Sequence, residues 1–376
     1  MKVGKRYIHE KKGWPELRWN AAEIAALLAD TRYAQGRLLG RMDRMGLRLC
    51  DEADLLAMTT EVVTSSAIEG ETLDDRQVRS SLARKLGIDV GGMVSSSRQV
   101  DGVVEMMVDA TRGYDQPLTQ ERLFAWHAGL FPSGWSGLRR ITVGAWRTDA
   151  SGPMQVVSGR AGRTRVHFEA PHAERLLQEM QSFLNWFNAS SDLDPVLKAA
   201  VAHFRFVTIH PFEDGNGRIA RAIADMALAR ADGRAERFYC MSAQIERDRK
   251  TYYEVLENCQ KGDLDITIWI TWFLKCLKRS FDKADDVLAS ITRKAEVWRQ
   301  VGTSMVSDRQ RKVLNRMLDG FEGGMTSSKY AKMTGCSVDT ALRDIQGLVT
   351  IGVLVQNPGG GRSTSYRLKE PTATGC

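Results

Sequence analysis

The 376-residue chain has no run of eighteen apolar residues, so no membrane-spanning helix is expected. Its opening, MKVGKRYIHEKKGW, lacks the apolar stretch of a secretory signal. Six cysteines stand apart at 50, 240, 259, 276, 336 and 376 with no C-x-x-C pair. That argues against both a zinc site and a disulfide framework, and a reducing, cytoplasmic location is the expectation. The G-x-x-x-x-G-K-[ST] string of a P-loop is missing, as is the G-x-G-x-x-G fingerprint of a dinucleotide fold. No internal repeat and no low-complexity tract stands out.

What is present is ordinary in bulk. The hydrophobic fraction is 43% and the charged fraction 26%, as in a soluble globular protein. The length allows two or three domains with a sizeable core. A net charge of +7 leans toward anionic partners such as nucleotides or nucleic acid.

Most of the chain reads as helix. AAEIAALLADTRYAQGRLLGRM and DEADLLAMTTEVVTSSAIEGE carry apolar residues at three-to-four spacing. Asp51 is the expected N-cap of the second and Gly70 its stop. Thr119 is placed to cap LTQERLFAWHAGLF. From Leu138 to Phe168, Gly, Ser, Thr and β-branched residues predict a loop and short hairpin. Helices resume at PHAERLLQEMQSFLNWFN, and Asp194 and Pro195 read as N-cap and N1 of PVLKAAVAHFRFVTIH. A boundary is expected near 300–307. Beyond it, three helical segments and a hairpin with a Gly-rich tip follow the order of a winged helix-turn-helix, with a reading helix beginning near Ser337. The expectation is a mostly α protein in three parts: an N-terminal helical module over 1–50, a main domain over 51–300, and a winged helix over 308–368.

Between two apolar helices lies HPFEDGNGRIAR, residues 210–221. A helix N-terminus offers free N–H groups and a partial positive charge. Gly215 and Gly217 let a ligand approach the backbone, which makes an anion cradle. Arg218 and Arg221, three apart, add two forked guanidiniums suited to polyphosphate. Asp214 offers a hard oxygen ligand for a divalent cation, and His210, at the end of the preceding helix, is a candidate general base. Nucleotide, metal and base together describe nucleotidyl or phosphoryl transfer.

At every fixed position this segment resembles the Fic signature H-x-F-x-[DE]-G-N-G-R-x-x-R. The likeness extends over roughly residues 50–280 and implies the Fic (Fido) helical fold with a β-hairpin flap. It implies a protein adenylyltransferase, moving AMP from ATP to a Ser, Thr or Tyr hydroxyl of a protein. By that resemblance His210 is the catalytic base, Phe212 anchors the loop, and Asp214 binds Mg²⁺ or Mn²⁺. Gly215, Asn216 and Gly217 cradle the phosphates, and Arg218 and Arg221 hold the outer ones. Glu213 is variable and solvent-facing. Residues 154–159, MQVVSG, are the flap that receives a target segment, and Tyr252, Tyr253 and Asn258 fall where the adenine pocket is lined. SSAIEG, residues 65–70, resembles the inhibitory [ST]-x-x-x-E-[GN] pattern. There Glu69, on the helix that carries Ser65, pairs with Arg221 and excludes the γ-phosphate. YIHEKKGWPELRW resembles a short module found ahead of many bacterial Fic proteins.

Plainer roles compete for several of these residues. Asp214 also suits a helix cap, Glu69 an exposed helix end, and His203 a core position behind the site. Trp269, Trp272 and Phe273 fit a core. Arg139, Arg140, Arg147, Arg160, Arg163 and Arg165 fit a solvated face, or a docking surface for an acidic target. From Asp308 to Leu368 nine Lys/Arg face five Asp/Glu, compatible with DNA, yet the expected reading helix has only Arg343 against two aspartates. The partners to expect are ATP, a target protein, the chain itself as a substrate, DNA through the winged helix, and a second copy in a homodimer. Removal of AMP, with Glu69 orienting water, would use the same residues. A transcriptional regulator with the Fic fold as nucleotide sensor is the other alternative, though a sensor has no need of His210.

Overall fold

The computed structural model describes residues 7–89, 91–150, 152–159, 164–302, 306–318, 321, 323–358 and 364–369. The chain folds as two compact units, Met1–Ala284 and Asp285–Cys376. It is mostly helical, as expected.

The first unit runs α1 (Ala21–Met42), α2 (Leu47–Ile68), α3 (Asp75–Leu86), α4 (Arg98–Arg112) and α5 (Gln120–Leu130). Two short pairs follow, β1 (Trp135–Ser136) with β2 (Arg139–Arg140) and β3 (Gln155–Ser158) with β4 (Arg165–Glu169). Then come α6 (Leu176–Asn188), α7 (Pro195–Ile209), α8 (Asn216–Asp232), α9 (Met241–Arg247), α10 (Arg249–Lys261) and the first half of α11 (Thr267–Val301).

The centre is the pair α7 and α8. Every residue of α7 from Ala199 to Ile209 is buried, as is α8 from Ile219 to Ala229. Helices buried on all sides must be covered on all sides, and α4, α5 and α6 supply much of that cover. The capping expectations hold for two helices: the Thr119 side chain accepts from Arg122 N, and Asp194 accepts from Val196 N ahead of Pro195 at N1. The expected cap at Asp51 is corrected. The cap is Gly46, five residues earlier, because its carbonyl already accepts from the N–H groups of Leu49 and Cys50. α4 and α5 cross at Gly102 and Gly129, where a Cβ on Gly102 would strike the backbone of Gly129.

The N-terminal segment is part of this unit. Arg18 bridges Asp265, Asn20 N donates to Thr267 Oγ1, and Gln35 hydrogen-bonds Asp232. Tyr7 and His9 pack edge-on against Phe168 of β4, and the His9 ring nitrogen meets the Glu169 carbonyl at 2.8 Å.

The second unit begins inside α11, at Asp285, ahead of the 300–307 boundary the sequence suggests, and the helix runs unbroken through Asp285 to Val301. It continues as α12 (Asp308–Leu318), α13 (Ser327–Thr334) and α14 (Val338–Thr350), then β5 (Leu354–Gln356) paired antiparallel with β6 (Tyr366–Leu368). Val313, Leu314, Tyr330, Ile345 and Leu348 form its core. The Gly-rich tip lies outside the described residues.

Candidate active site

The site forms where α7 hands over to α8. His210 ends α7 in the left-handed conformation, at φ 53° and ψ 58°. Among the described residues no other non-glycine has positive φ. Such backbone costs about 1–2 kcal/mol and persists only where neighbours hold it. Arg147 is that neighbour. Its buried guanidinium donates Nε to the His210 carbonyl at 2.8 Å, Nη2 to the Pro171 carbonyl at 2.6 Å and Nη1 to Asp149 at 3.0 Å. Its backbone N–H donates to the Pro211 carbonyl at 2.9 Å.

The His210 Nδ1 lies 3.2 Å from the Val207 carbonyl. A carbonyl only accepts, so Nδ1 carries the proton and Nε2 keeps its lone pair. Burial, partly opposed by that hydrogen bond, lowers the pKa to about 4. At neutral pH the ring is an uncharged base.

Phe212 is fully buried and stacks on His127 with ring centroids 4.2 Å apart. Asn216 binds its backbone twice, Oδ1 accepting from Phe212 N at 2.9 Å and Nδ2 donating to Phe212 O at 2.8 Å. The polar atoms of the Asn216 side chain are thus committed to the loop. Gly215, at φ 80°, precedes α8 with no side-chain cap on the helix. A Cβ there would meet the Phe131 ring at 2.9 Å. The first N–H groups of α8 therefore present an anion-binding end.

Both motif arginines are buried and both meet acids. Arg221 Nη2 lies 2.9 Å from Glu69 Oε1, and its Nε and Nη2 donate to the Ser65 hydroxyl and carbonyl at 2.8 Å each. Arg218 Nη1 donates to Glu71 Oε2 at 2.5 Å, with its guanidinium over the Phe131 ring. A Cβ on Gly217 would collide with the Glu69 carboxylate, which therefore sits against the α8 N-terminus. Among the described residues, Arg221 Nη1 and Arg218 Nε have no hydrogen-bond partner. Buried N–H groups left unpaired are costly, and two on adjacent guanidiniums fit the oxygens of a phosphate chain.

Asp214 Oδ1 accepts from Gly215 N at 2.6 Å, and Oδ2 accepts from the Ser136 hydroxyl. The Asp214 carbonyl lies 3.2 Å from His127 Nε2, and His127 Nδ1 accepts from Gly144 N at 3.1 Å. His127 is therefore the neutral Nε2–H form, with burial pushing its pKa down to about 4. Among the described residues no three His, Cys, Asp or Glu gather as a metal cage. A lone carboxylate beside a phosphate cradle fits Mg²⁺ or Mn²⁺, which take most of their ligands from phosphate and water.

These groups open onto a cavity of about 720 Å³, lined also by Tyr252, Tyr253 and the β3–β4 hairpin. Tyr253 is 38% exposed there, with Arg249 over its ring. Tyr252 is buried and bonds His203 at 2.9 Å. The expectation for Asn258 is corrected: it lies exposed on α10 and does not line the cavity. Five residues along a helix turn a side chain about 140° away from Tyr253, and Glu257 and Gln260 face the cavity instead. Glu213 is likewise not free; it pairs with Arg139 at 2.9 Å and accepts from Thr142. β3 has only β4 as a partner, so its other edge is unpaired among the described residues. Of the arginines read as a solvated face, Arg147 is buried, while Arg160 and Arg163 lie outside the described residues.

Residues 117–228 match the Fic/DOC family model, which encloses the whole His210–Arg221 loop. That segment is a Fic/DOC domain. Residues 7–88, which carry Glu69 and Glu71, match a second model described as a domain of unknown function, DUF4172. The protein adenylyltransferase Fic of Drosophila melanogaster is 25% identical to this chain over 227 residues, covering 55% of this chain and 41% of the relative. That of Drosophila grimshawi is 27% identical over 224 residues, covering 55% and 42%. The matched region thus spans less than half the length of these curated relatives.

Among solved structures, a Fic family protein from Desulfovibrio desulfuricans G20 superposes with TM-score 0.55 at 20% identity, covering 96% of this chain and 99% of that one. A Fic domain containing signaling protein from Bacteroides thetaiotaomicron gives 0.51 at 21%, covering 69% and 98%. Both are likenesses of fold.

Three contributors escape sequence reading. Glu71 lies one glycine past Glu69, outside the inhibitory pattern. Arg147 is hidden among surface-type arginines, and His127 in an amphipathic helix. Only the acid two places beyond Glu69 leaves a signal, as a second anion ahead of a two-arginine motif.

Proposed function

We propose that this Fic protein transfers AMP from ATP to a hydroxyl of a protein, and that α2 holds it inactive. The observation that carries the reading is a neutral His210, its Nε2 free, beside an uncapped helix N-terminus flanked by two buried arginines. The α8 N–H groups with Arg218 and Arg221 bind the phosphates, and the tyrosines of α10 border the nucleotide. A hydroxyl docked along the free edge of β3 loses its proton to His210 Nε2 as it attacks the α-phosphorus, and pyrophosphate leaves. A cation at Asp214 would supply charge neutralisation on the departing phosphates. Glu69 and Glu71 compete with ATP for both arginines, so the resting protein is inhibited from within.

Reversal has its own support. The Glu69 carboxylate lines the same cavity as His210, a position from which it could orient water toward a nucleotidylated side chain. One experiment separates the two. The protein is incubated with labelled ATP and Mg²⁺ or Mn²⁺, and separately with a pre-labelled adenylylated protein. Label gained by protein supports transfer, and label lost only from the modified substrate supports removal. Neither outcome would leave the site without nucleotidyl chemistry. Outward residues of α14 include Val338, Leu342 and Val349. That apolar set suits a protein target better than DNA, so target recognition is the role we assign to the C-terminal unit.

A further inference from the structure

Across the cavity from His210, β3 and β4 carry a second reactive arrangement. Their ladder pairs Val156 with Phe168 but Val157 with Val166, leaving His167 as the extra residue of a β-bulge. Bulges re-aim side chains. The His167 ring nitrogen Nε2 lies 2.6 Å from the Ser158 hydroxyl, and Nδ1 lies 2.6 Å from Glu257 Oε2. A carboxylate only accepts, so Nδ1 carries the proton and Nε2 is left to take one from Ser158. Glu257 is fixed in turn by Arg165 at 3.0 Å and Lys261 at 2.5 Å. Burial works to raise the Glu257 pKa, but hydrogen bonds from Lys261, His167 and Arg165 outweigh it and hold the group at about 2. Nucleophile, base and orienting carboxylate stand in hydrogen-bonded sequence, the recurrent arrangement for activating a serine.

Ser158 is solvent-exposed and lines the same cavity as His210, Asp214 and Gly217. Arg165, Arg249 and Lys250 line it too. The same lining carries the carboxylates Glu69, Glu213, Asp214, Glu254 and Glu257, so the charge that would hold a polyphosphate near the acceptor is that of the α8 N-terminus with Arg218 and Arg221.

We propose that Ser158 is a nucleophile in its own right and the residue on which the protein modifies itself, taking AMP from ATP held at the α8 N-terminus. The acceptor half rests on the transferase reading above. In the step, a bond forms between Ser158 Oγ and the α-phosphorus while the bond from that phosphorus to the bridging oxygen of the β-phosphate breaks. Pyrophosphate departs, and the hydroxyl proton passes to His167 Nε2. Glu257 positions the ring and offsets the charge it gains.

Two measurements test this. A fluorophosphonate probe attacks activated serines without any nucleotide, releasing fluoride. It should label the parent at Ser158 by peptide mapping, lose that label in Ser158→Ala, and label His167→Gln on the order of 10²-fold more slowly, the scale of a lost general base. In the second, Glu69→Gly is incubated with Mg²⁺ and ATP and its peptides are mapped for AMP, which should lie on Ser158. No probe at Ser158, or equal labelling of parent and His167→Gln, overturns the activated nucleophile. AMP found on other residues but not on Ser158 overturns the acceptor assignment while the transferase reading stands. Probe captured at Ser158 with AMP on no protein sinks the transferase reading and leaves the nucleophile in place.

Discussion

The carboxylate of Glu71 lies 2.5 Å from the guanidinium of Arg218, two residues beyond the carboxylate that meets Arg221. The segment that ends α2 thus presents two anions to two cations, the same two that the proposed function gives to the polyphosphate. On the proposed reading, inhibition by this segment is a double contact. Glu69→Gly should raise self-labelling from ATP about tenfold or more, since a shift of about 1.4 kcal/mol in the competing equilibrium changes productive binding tenfold. Glu71→Gln should raise it as well, and the double variant should exceed either alone. Arg221→Ala should erase the gain of Glu69→Gly. Initial rates at sub-saturating labelled ATP decide the matter. Equal rates for parent and Glu71→Gln would remove Glu71 from the latch.

His210→Ala should lower transfer to a hydroxyl of a separate protein, the reaction in which His210 is the base, by about 10²–10⁴-fold, while nucleotide affinity stays within a few-fold. The base touches the incoming hydroxyl, whereas the cradle is built from α8. Measured in the Glu69→Gly background, the rate and the ATP dissociation constant should separate. A variant that transfers AMP as fast as its parent would rule out the role of His210.

Arg147 acts on the base through the backbone. Its removal frees the carbonyls of His210 and Pro171 and takes one of the partners of Asp149, which keeps the Ala173 N–H. Each buried acceptor left unsatisfied costs about 1–3 kcal/mol. Arg147→Met should therefore reduce kcat at least tenfold with little change in KM for ATP, and lower Tm by several degrees. Arg147→Lys should recover part of the Tm but little of kcat, since one ammonium cannot reach three acceptors. A loss confined to Tm would make the residue structural only.

Helix existence was legible because periodicity, Thr119 at one cap and Asp194–Pro195 at another are local signals. The loop was legible because its residue types sit side by side. The start of α2 was misread because Asp51 is a good cap in isolation, whereas the backbone is already helical ahead of it, with the Leu49 and Cys50 N–H groups bonded to the Gly46 carbonyl. Asn258 was misplaced for want of a helix phase: which face of α10 meets the cavity depends on how α10 packs. Contacts such as Arg147 with His210, Glu71 with Arg218 and Gly102 with Gly129 join segments far apart in the chain, and no local pattern encodes them.

The buried histidines give this fold an acid-side weakness that one substitution can isolate. His203 is 1% exposed, bonds the Tyr252 hydroxyl at 2.9 Å and packs against Trp269. Burial, aided by the nearby charge of Arg221, lowers its pKa to about 3, against about 6.5 in an unfolded chain. Between those values the unfolded state binds a proton that the folded state refuses. Stability therefore falls as pH drops from about 6.5, and the loss from this group is complete near pH 3. Each unit of pH in that window costs about 1.4 kcal/mol per histidine. His203→Gln keeps a hydrogen-bonding partner for Tyr252 and removes the titration. Other groups, including Asp225, whose burial raises it to about 7, contribute equally to parent and variant and cancel in the difference. Urea unfolding at pH 7 and pH 5 should show the variant losing about 2 kcal/mol less than the parent over that interval. Parallel losses in the two proteins would mean that His203 takes up its proton without unfolding, and that the space around Tyr252 and Trp269 admits water.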